Sequence, residues 1–458
     1  MQGRNPHPGY QRSTSGIGMP GAIPRANAPM AGAQARPKRE RLTLLVGFMM
    51  FLTVVSYGRA HELFGPTVTL PVGKVLFPIG LLLLASQPDF RARLAGFRTA
   101  PGRSLGLFFC SLMISIPFSY WIGGSVFEFQ NFIMAQVPYL ILLVGVAASE
   151  QELEYLLRAV VISIILFGFV ILTGGASYEQ GRVVASSSYD SNDLAMVAAV
   201  SIPFALRMVL GKPIFWRLAG LAGIGSALLL ILQAGSRGAM LAVAAIVMAY
   251  MFMFRRTISG GMKVLLIVSI IVAIALAPGV FLERLNSLGS VSQDYNVSDE
   301  VGRVEIWKRG MGYFLHRPLN GVGFGQFNAA EGRSGAELHG TGEGFKWSTA
   351  HNSFVLAAAE LGLPGIIGFL GMFLPIFRMA RRARRAARMD KSQLSLATQG
   401  EALAIAVVGF LVAGFFLSAT YQPVSMTVAG FVIAYAAIAK RRGVLNANRL
   451  RQAPVPQR

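Results

Sequence analysis

The sequence predicts an all-α polytopic membrane protein of about twelve transmembrane helices with one long outer loop that carries short helices. Hydrophobic residues make up 53% of the 458 and charged residues only 14%, whereas a soluble domain carries about 25% charged residues. From residue 41 onward, apolar stretches of about 17–22 residues recur, each long enough to cross a hydrocarbon core of roughly 30 Å. Lys and Arg gather in the segments between alternate stretches. Lipid offers backbone N–H and C=O groups no partners, so stretches of this length must be helices. The short alternating segments of a membrane barrel are absent.

The elements follow in order. Residues 1–40 are rich in Pro, Gly, Ala, Ser, Gln and Arg without apolar periodicity, the composition of a disordered basic tail. The first apolar run has no small-residue cleavage site behind it and reads as a signal anchor. Spans are expected near 41–58, 68–86, 104–122, 131–148, 157–173, 193–210, 214–233, 237–254 and 262–280, which makes 41–280 transmembrane helices 1–9. Residues 281–352 form the long loop, and 353–440 hold three more spans near 353–377, 400–418 and 422–439. A second basic tail covers 441–458.

In a soluble chain the net charge of +21 would suggest nucleic acid; beside this apolar content it is topological. With the first tail cytoplasmic, the segments expected inside hold 31 Lys and Arg and 7 Asp and Glu, against 11 and 14 elsewhere. Nearly every inner loop obeys the positive-inside rule, the Arg378–Arg388 cluster most firmly, and both termini fall inside. Only the acidic segment 149–158 gives no orientation. The single cysteine, Cys110, excludes a disulfide framework and a CxxC site and reads as a packing residue. The histidines at 7, 61, 316, 339 and 351 make no HxxxH or HExxH pair for zinc.

A loop as long as 281–352 inside a compact protein is either functional or disordered. Trp307, Phe314, Phe324, Phe327, Phe345 and Trp347 argue for order. Ser298 is expected to cap a helix ending before Pro318, with Val304, Trp307, Met311 and Phe314 along one apolar face toward lipid or the bundle.

Four basic residues from distant parts of the chain fall on the same outer face: Arg182, Arg237, Arg303 and His351. Taken singly, each is most simply a snorkelling or capping residue. Asn352 reads as an N-cap, and Arg303 as a partner of Glu300 or Glu305. Arg237 resists that reading, because it opposes the positive-inside bias in a turn too short to solvate it. An outward arginine cluster matches an anion. The guanidinium fork binds phosphate bidentately, so a diphosphate headgroup is the natural ligand. Lys74, inside the second span, snorkels or hydrogen-bonds within the bundle, with a role at a lipid phosphate as the alternative.

Five motifs resemble, in order and spacing, the O-antigen ligase/polymerase superfamily over roughly residues 41–440. They are Gly181-Arg182 followed by Tyr189-Asp190-Ser191-Asn192-Asp193-Leu194-Ala195; Ser236-Arg237-Gly238-Ala239; Arg303-x-x-x-Trp307; Pro318 with Gly321-x-Gly323-x-Gly325-x-Phe327; and Ala350-His351-Asn352-Ser353. Ser191 stands where the family often has Pro, which bears on the shape of that loop. The Gly321–Gly325 run reads as tight turns that neither follow a strand nor open a helix, and so not as a phosphate loop.

The resemblance implies a GT-C-like membrane glycosyltransferase of the bacterial inner membrane, active on the periplasmic face in polysaccharide or lipopolysaccharide biosynthesis. Its donor would be an undecaprenyl-diphosphate-linked glycan, and its acceptor a hydroxyl of lipid A core or of a growing polysaccharide. On that reading Arg182 and Arg237 hold the diphosphate and stabilise charge on the leaving group. His351 takes the acceptor proton as general base, and in-line displacement inverts the anomeric centre. Arg303, Trp307, Asn192 and Asn352 are candidate substrate contacts. His339, in Leu338-His339-Gly340, is the alternative base, ranked below His351 because a Gly-rich setting pre-organises a base poorly. Neither cofactor nor metal is expected: two arginines supply the charge, while Asp190, Asp193, Asp299, Glu300 and Glu305 read as capping or solvated residues. Nucleic acid is not an expected partner.

Two rivals stand beside the ligase. A polymerase needs the same diphosphate and activated hydroxyl, so the motifs do not separate the two. A polysaccharide transporter or flippase without chemistry would place charge near mid-membrane in two repeats. Apart from Lys74 and Glu360 the span interiors lack charge, and no repeat is visible.

Overall fold

A computed structural model describes residues 43–59, 62, 72–179, 181–184, 189–211, 213–253, 302–339 and 348–445, with isolated positions between 260 and 279. The described chain is mostly helical. In order come α1 (Leu44–Ser56), α2 (Val72–Ala85), α3 (Ala100–Ser115), α4 (Ile122–Val146), α5 (Glu150–Leu172), α6 (Ser191–Val209), α7 (Ile214–Ala234) and α8 (Arg237–Met248). After them come α9 (Arg303–His316), α10 (Phe327–His339), α11 (Ser353–Phe373), α12 (Pro375–Met389), α13 (Leu394–Gly414) and α14 (Pro423–Arg441). A small antiparallel hairpin, β1 (Ser177–Glu179) with β2 (Arg182–Val184), sits in the segment expected as a plain loop. Gly181, at φ 72°, turns it.

Among the described residues eight helices are long and apolar enough to cross a membrane: Ala100–Phe118, Ile122–Val146, Glu150–Leu172, Ser191–Val209, Ile214–Ala234, Ser353–Met389, Lys391–Gly414 and Pro423–Arg441. Shorter apolar helices, Leu44–Ser56, Gly73–Ala85 and Arg237–Met253, coincide with the first, second and eighth expected spans. The ninth, 262–280, lies largely outside the described residues, as do Ser298, Asp299 and Glu300. Several spans begin earlier than expected. Those of α5 and α13 include the polar residues Glu150–Glu154 and Gln399–Glu401, which a hydropathy window trims away.

Helix starts follow local chemistry. Thr43, Asp190, Ser236 and Asn352 each turn a side-chain oxygen onto a first-turn N–H, and Ser149 with Glu152 forms a reciprocal capping box. Packing puts α6 and α14 at the centre: 89% of each span is buried, against 28% of α7 at the periphery. Cys110, expected to pack, is exposed on α3.

The two ends of the bundle differ. At one end acidic residues accept arginines: Arg93 to Glu152 (3.1 Å), Arg207 to Glu154 (2.7 Å), Arg384 to Glu401 (3.0 Å) and Arg442 to Glu150 (2.6 Å). The acidic 149–158 segment thus lies among the arginines whose charge it offsets. At the other end α6, α8 and α11 begin, α7 and α13 finish, and the candidate site residues gather.

In the loop, α9 and α10 share a small core of their own with α11: Ile306, Phe327, Ala350, Leu356 and Ala359. Gly302, not Ser298, precedes the first turn of α9. The buried face of α9 is Ile306 and Gly310, while Met311 is exposed. The expected Val304–Trp307–Met311–Phe314 face is therefore rotated, because Gly310 alone lets α9 close on Val355, 2.6 Å from where a Cβ would stand.

Candidate functional site

The segment Phe415–Gln422, which links α13 to α14, is where the candidate residues are tied together. Ser353 Oγ donates to Leu417 O (2.7 Å) and accepts from Ala419 N–H (2.9 Å), while Thr420 Oγ1 donates to Ser353 O (2.8 Å). His351 N–H donates to Ser418 Oγ (2.8 Å), which also pairs with Thr349 Oγ1 (2.7 Å). Arg303 Nη1 donates to Phe416 O at 3.5 Å, and the Trp307 ring meets Phe415 edge-on with centroids 5.1 Å apart. Gly238, next to Arg237, faces Phe416: an added Cβ would lie 3.1 Å from it. Gln422 Nε2 donates to Asp193 Oδ2 (3.1 Å).

Arg182 joins from the hairpin. Its Nε donates to Ala234 O (2.8 Å), at the end of α7, and its Nη2 to Asn192 Oδ1 (2.8 Å). A cation on the last carbonyls of a helix is favourably placed. That grip lies three positions before Arg237, on the other side of left-handed Gly235. Ser191 Oγ donates to Val183 O (2.8 Å), so a buried hydroxyl fixes the loop where the family often has Pro.

The electrostatics follow from helix direction. Arg237 is the first residue of α8 and Arg303 the first of α9; Asn192 is second in α6, and His351 immediately precedes the cap of α11. Helix N-termini carry partial positive charge and unpaired N–H groups. The starts of α6, α8, α9 and α11 are tied to the linker through Asp193, Gly238, Arg303 and the His351 N–H, and their partial positive charge makes this end of the bundle suited to an anion.

Several expected contacts are committed to structure. Asn352 Oδ1 accepts from Phe354 and Val355 N–H (2.9 and 3.1 Å) at 2% exposure, and Trp307 Nε1 donates to Ala350 O (2.9 Å). Together they set the backbone on either side of His351, which at φ 46° occupies the left-handed region that costs a non-glycine residue about 1–2 kcal/mol. Glu305 pairs with Lys308 (2.7 Å). His339 ends α10, and its side chain is not among those described. Lys74 is exposed near the start of α2.

The glycine run does make tight turns, with Gly321, Gly323 and Gly325 at φ 63°, 104° and 71°. It also leads directly into α10 at Phe327, contrary to the expectation that it opens no helix. Glu360 explains the difference. Buried in α11, its carboxylate accepts the N–H groups of Gly325 (3.0 Å) and of Phe327 (2.8 Å), the first residue of α10. Val322 and Gly323 N–H bond the carbonyls of Ala359 and Glu360 (2.8 and 3.1 Å), and Leu363 N–H bonds Pro318 O (2.7 Å). Left-handed Gly362 permits this approach, since an added Cβ would lie 2.6 Å from Pro318 O. Tyr421, whose phenol is pushed well above its ordinary range by burial and then by the Glu360 carboxylate, completes the apolar floor. Arg309 is held by Glu331 (2.7 Å), to which Tyr313 also donates (2.8 Å), and that pairing raises the guanidinium's pKa.

Sequence reasoning missed the 415–422 linker. Its signal was present as the polar run Ser418-Ala419-Thr420-Tyr421-Gln422 between two apolar spans. Among the described residues no three His, Cys, Asp or Glu side chains are grouped as metal ligands.

No curated protein matches the chain. The family model described as O-antigen ligase matches residues 221–370, a stretch that holds Arg237, Arg303, Trp307, His351 and Asn352 and leaves Arg182 and the 415–422 linker outside. With the motifs and the apolar helices, that match supports the O-antigen ligase-like superfamily for this membrane chain.

Proposed function

We propose that the protein is a glycan transferase that moves a saccharide from an undecaprenyl-diphosphate donor to an acceptor hydroxyl on the periplasmic face of the inner membrane. What supports the reading is that Arg182, Arg237, Arg303 and His351 all lie at the helix starts and turns of the bundle end opposite the Arg–Glu network. That arginine-rich opposite end would be cytoplasmic by the positive-inside rule.

Arg237 and Arg182 hold the diphosphate and offset charge as the bond from the anomeric carbon to the diphosphate oxygen breaks. The acceptor oxygen forms the new bond from the opposite side, its proton passes to the His351 imidazole, and the anomeric centre inverts. Arg303 orients the donor. The chemistry needs no metal, because the guanidinium groups do the work a divalent ion would do at a diphosphate. Ligase and polymerase share these steps and differ in the acceptor.

The test is transfer by purified protein from a radiolabelled undecaprenyl-diphosphate glycan. Wild type is expected to release undecaprenyl diphosphate and extend the acceptor in excess EDTA, and Arg237→Ala to do neither while reaching normal membrane levels. Full activity of Arg237→Ala removes the diphosphate assignment; loss in EDTA with rescue by Mg²⁺ removes the metal-free one. Translocation of intact donor without consumption would favour a flippase.

A further inference from the structure

The reaction proposed above brings together two lipid-borne molecules, a diphosphate donor and an acceptor that ligase and polymerase alike draw from a membrane-anchored glycan. The arginine cluster provides for one anionic headgroup. Resting on that reading, we propose a second site, for the phosphate of the acceptor's lipid anchor, at the far end of α9 on Arg317, His316 and Asn320.

From Arg303 to His316, α9 has 14 residues and is about 20 Å long. Its first residue reaches the linker, and its last borders an open cleft of about 470 Å³ lined by Phe118, His316, Arg317, Pro318, Leu319 and Asn320. Arg317 is fixed there. Its Nη1 donates to Phe118 O (2.8 Å), and its guanidinium carbon stands 4.5 Å from the centre of the Tyr120 ring. Among the described residues no carboxylate pairs with Arg317. Arginine has five N–H donors, so a phosphate can still be met bidentately.

A second guanidinium, that of Arg333 on α10, lies 5.4 Å from the same ring. His316, an exposed ring that lines the cleft, is fixed by Nδ1 at 2.7 Å from Gly312 O, a carbonyl that only accepts. Beside these polar groups Phe118, Leu315 and Leu319 are 55%, 69% and 69% exposed, as suits residues that meet acyl chains. Arginine that merely snorkels needs neither a carbonyl latch nor a second guanidinium on the same ring.

Full-length protein in detergent is titrated with three probe lipids and read by native mass spectrometry: phosphatidic acid (a phosphomonoester), phosphatidylglycerol and phosphatidylcholine. Wild type is expected to hold two phosphatidic acids. Arg317→Ala should lose one and Arg237→Ala the other, with Arg317→Lys intermediate and phosphatidylcholine unbound. In the transfer assay Arg317→Ala should raise the acceptor KM about tenfold or more and leave the donor KM unchanged. Wild-type phosphatidic acid stoichiometry in Arg317→Ala overturns the site. Phosphatidylglycerol binding as tightly as phosphatidic acid makes it an ordinary lipid contact and overturns the acceptor assignment. A wild-type protein without transfer activity sinks the transferase reading alone, since the Arg317-dependent lipid is counted without turnover.

Discussion

Arg237 opens α8, where the helix already presents partial positive charge, and in the proposed reaction it meets the donor's diphosphate there. Replacing it with Ala should lower kcat by about 10²–10³, the usual cost of losing one donor to a developing charge. Arg237→Lys should recover little of that, because an ammonium lacks the planar fork. These rates are read from transfer assays at saturating donor. His351 gives a second test at the same scale. An imidazole base acts only when neutral. Wild-type kcat/KM should therefore fall as acid protonates the ring and level once it is neutral, and His351→Ala should lose the acidic limb along with most of its rate. An unchanged pH profile in His351→Ala would show that another group takes the proton.

At the scale of elements, the linker and the glycine turn are the parts to perturb. Ser418 receives the N–H of a residue held in strained backbone, so Ser418→Ala should let His351 relax. The expected loss is about 10-fold or more in kcat, equivalent to about 1.4 kcal/mol or more in the activation barrier, with restoration by Ser418→Thr. Gly362→Ala meets Pro318 O and an unfavourable φ, and should lower stability by about 1–3 kcal/mol in detergent melts. The sequence made the spans and the Arg182, Arg237, Arg303 and His351 cluster legible, since length, hydropathy and out-of-place charge are local signals. The pairing of Glu360 with the glycine turn was not legible, because Gly325 and Glu360 stand far apart in the chain and a lone acid in an apolar span has no partner on paper. The face of α9 was misread for a related reason: Gly310 carries no hydropathy, yet it decides which side closes on α11.

For the whole molecule, polarity runs from an Arg–Glu network at one end to cationic helix starts at the other. Buried Glu401 accepts Arg384 at 3.0 Å, and Glu401→Gln should strand that guanidinium. The expected destabilisation is about 3 kcal/mol, seen as a lower melting temperature, with the per-molecule rate of the remaining folded protein close to wild type. The tie segment 415–422 has a consequence for biogenesis. It follows Arg182, Arg237, Arg303 and His351 in the chain, so a ribosome makes it after them. Until it is made, the Arg303 guanidinium has no Phe416 carbonyl to meet and the His351 N–H no Ser418 hydroxyl, so the site's last ties form only when the chain is nearly finished.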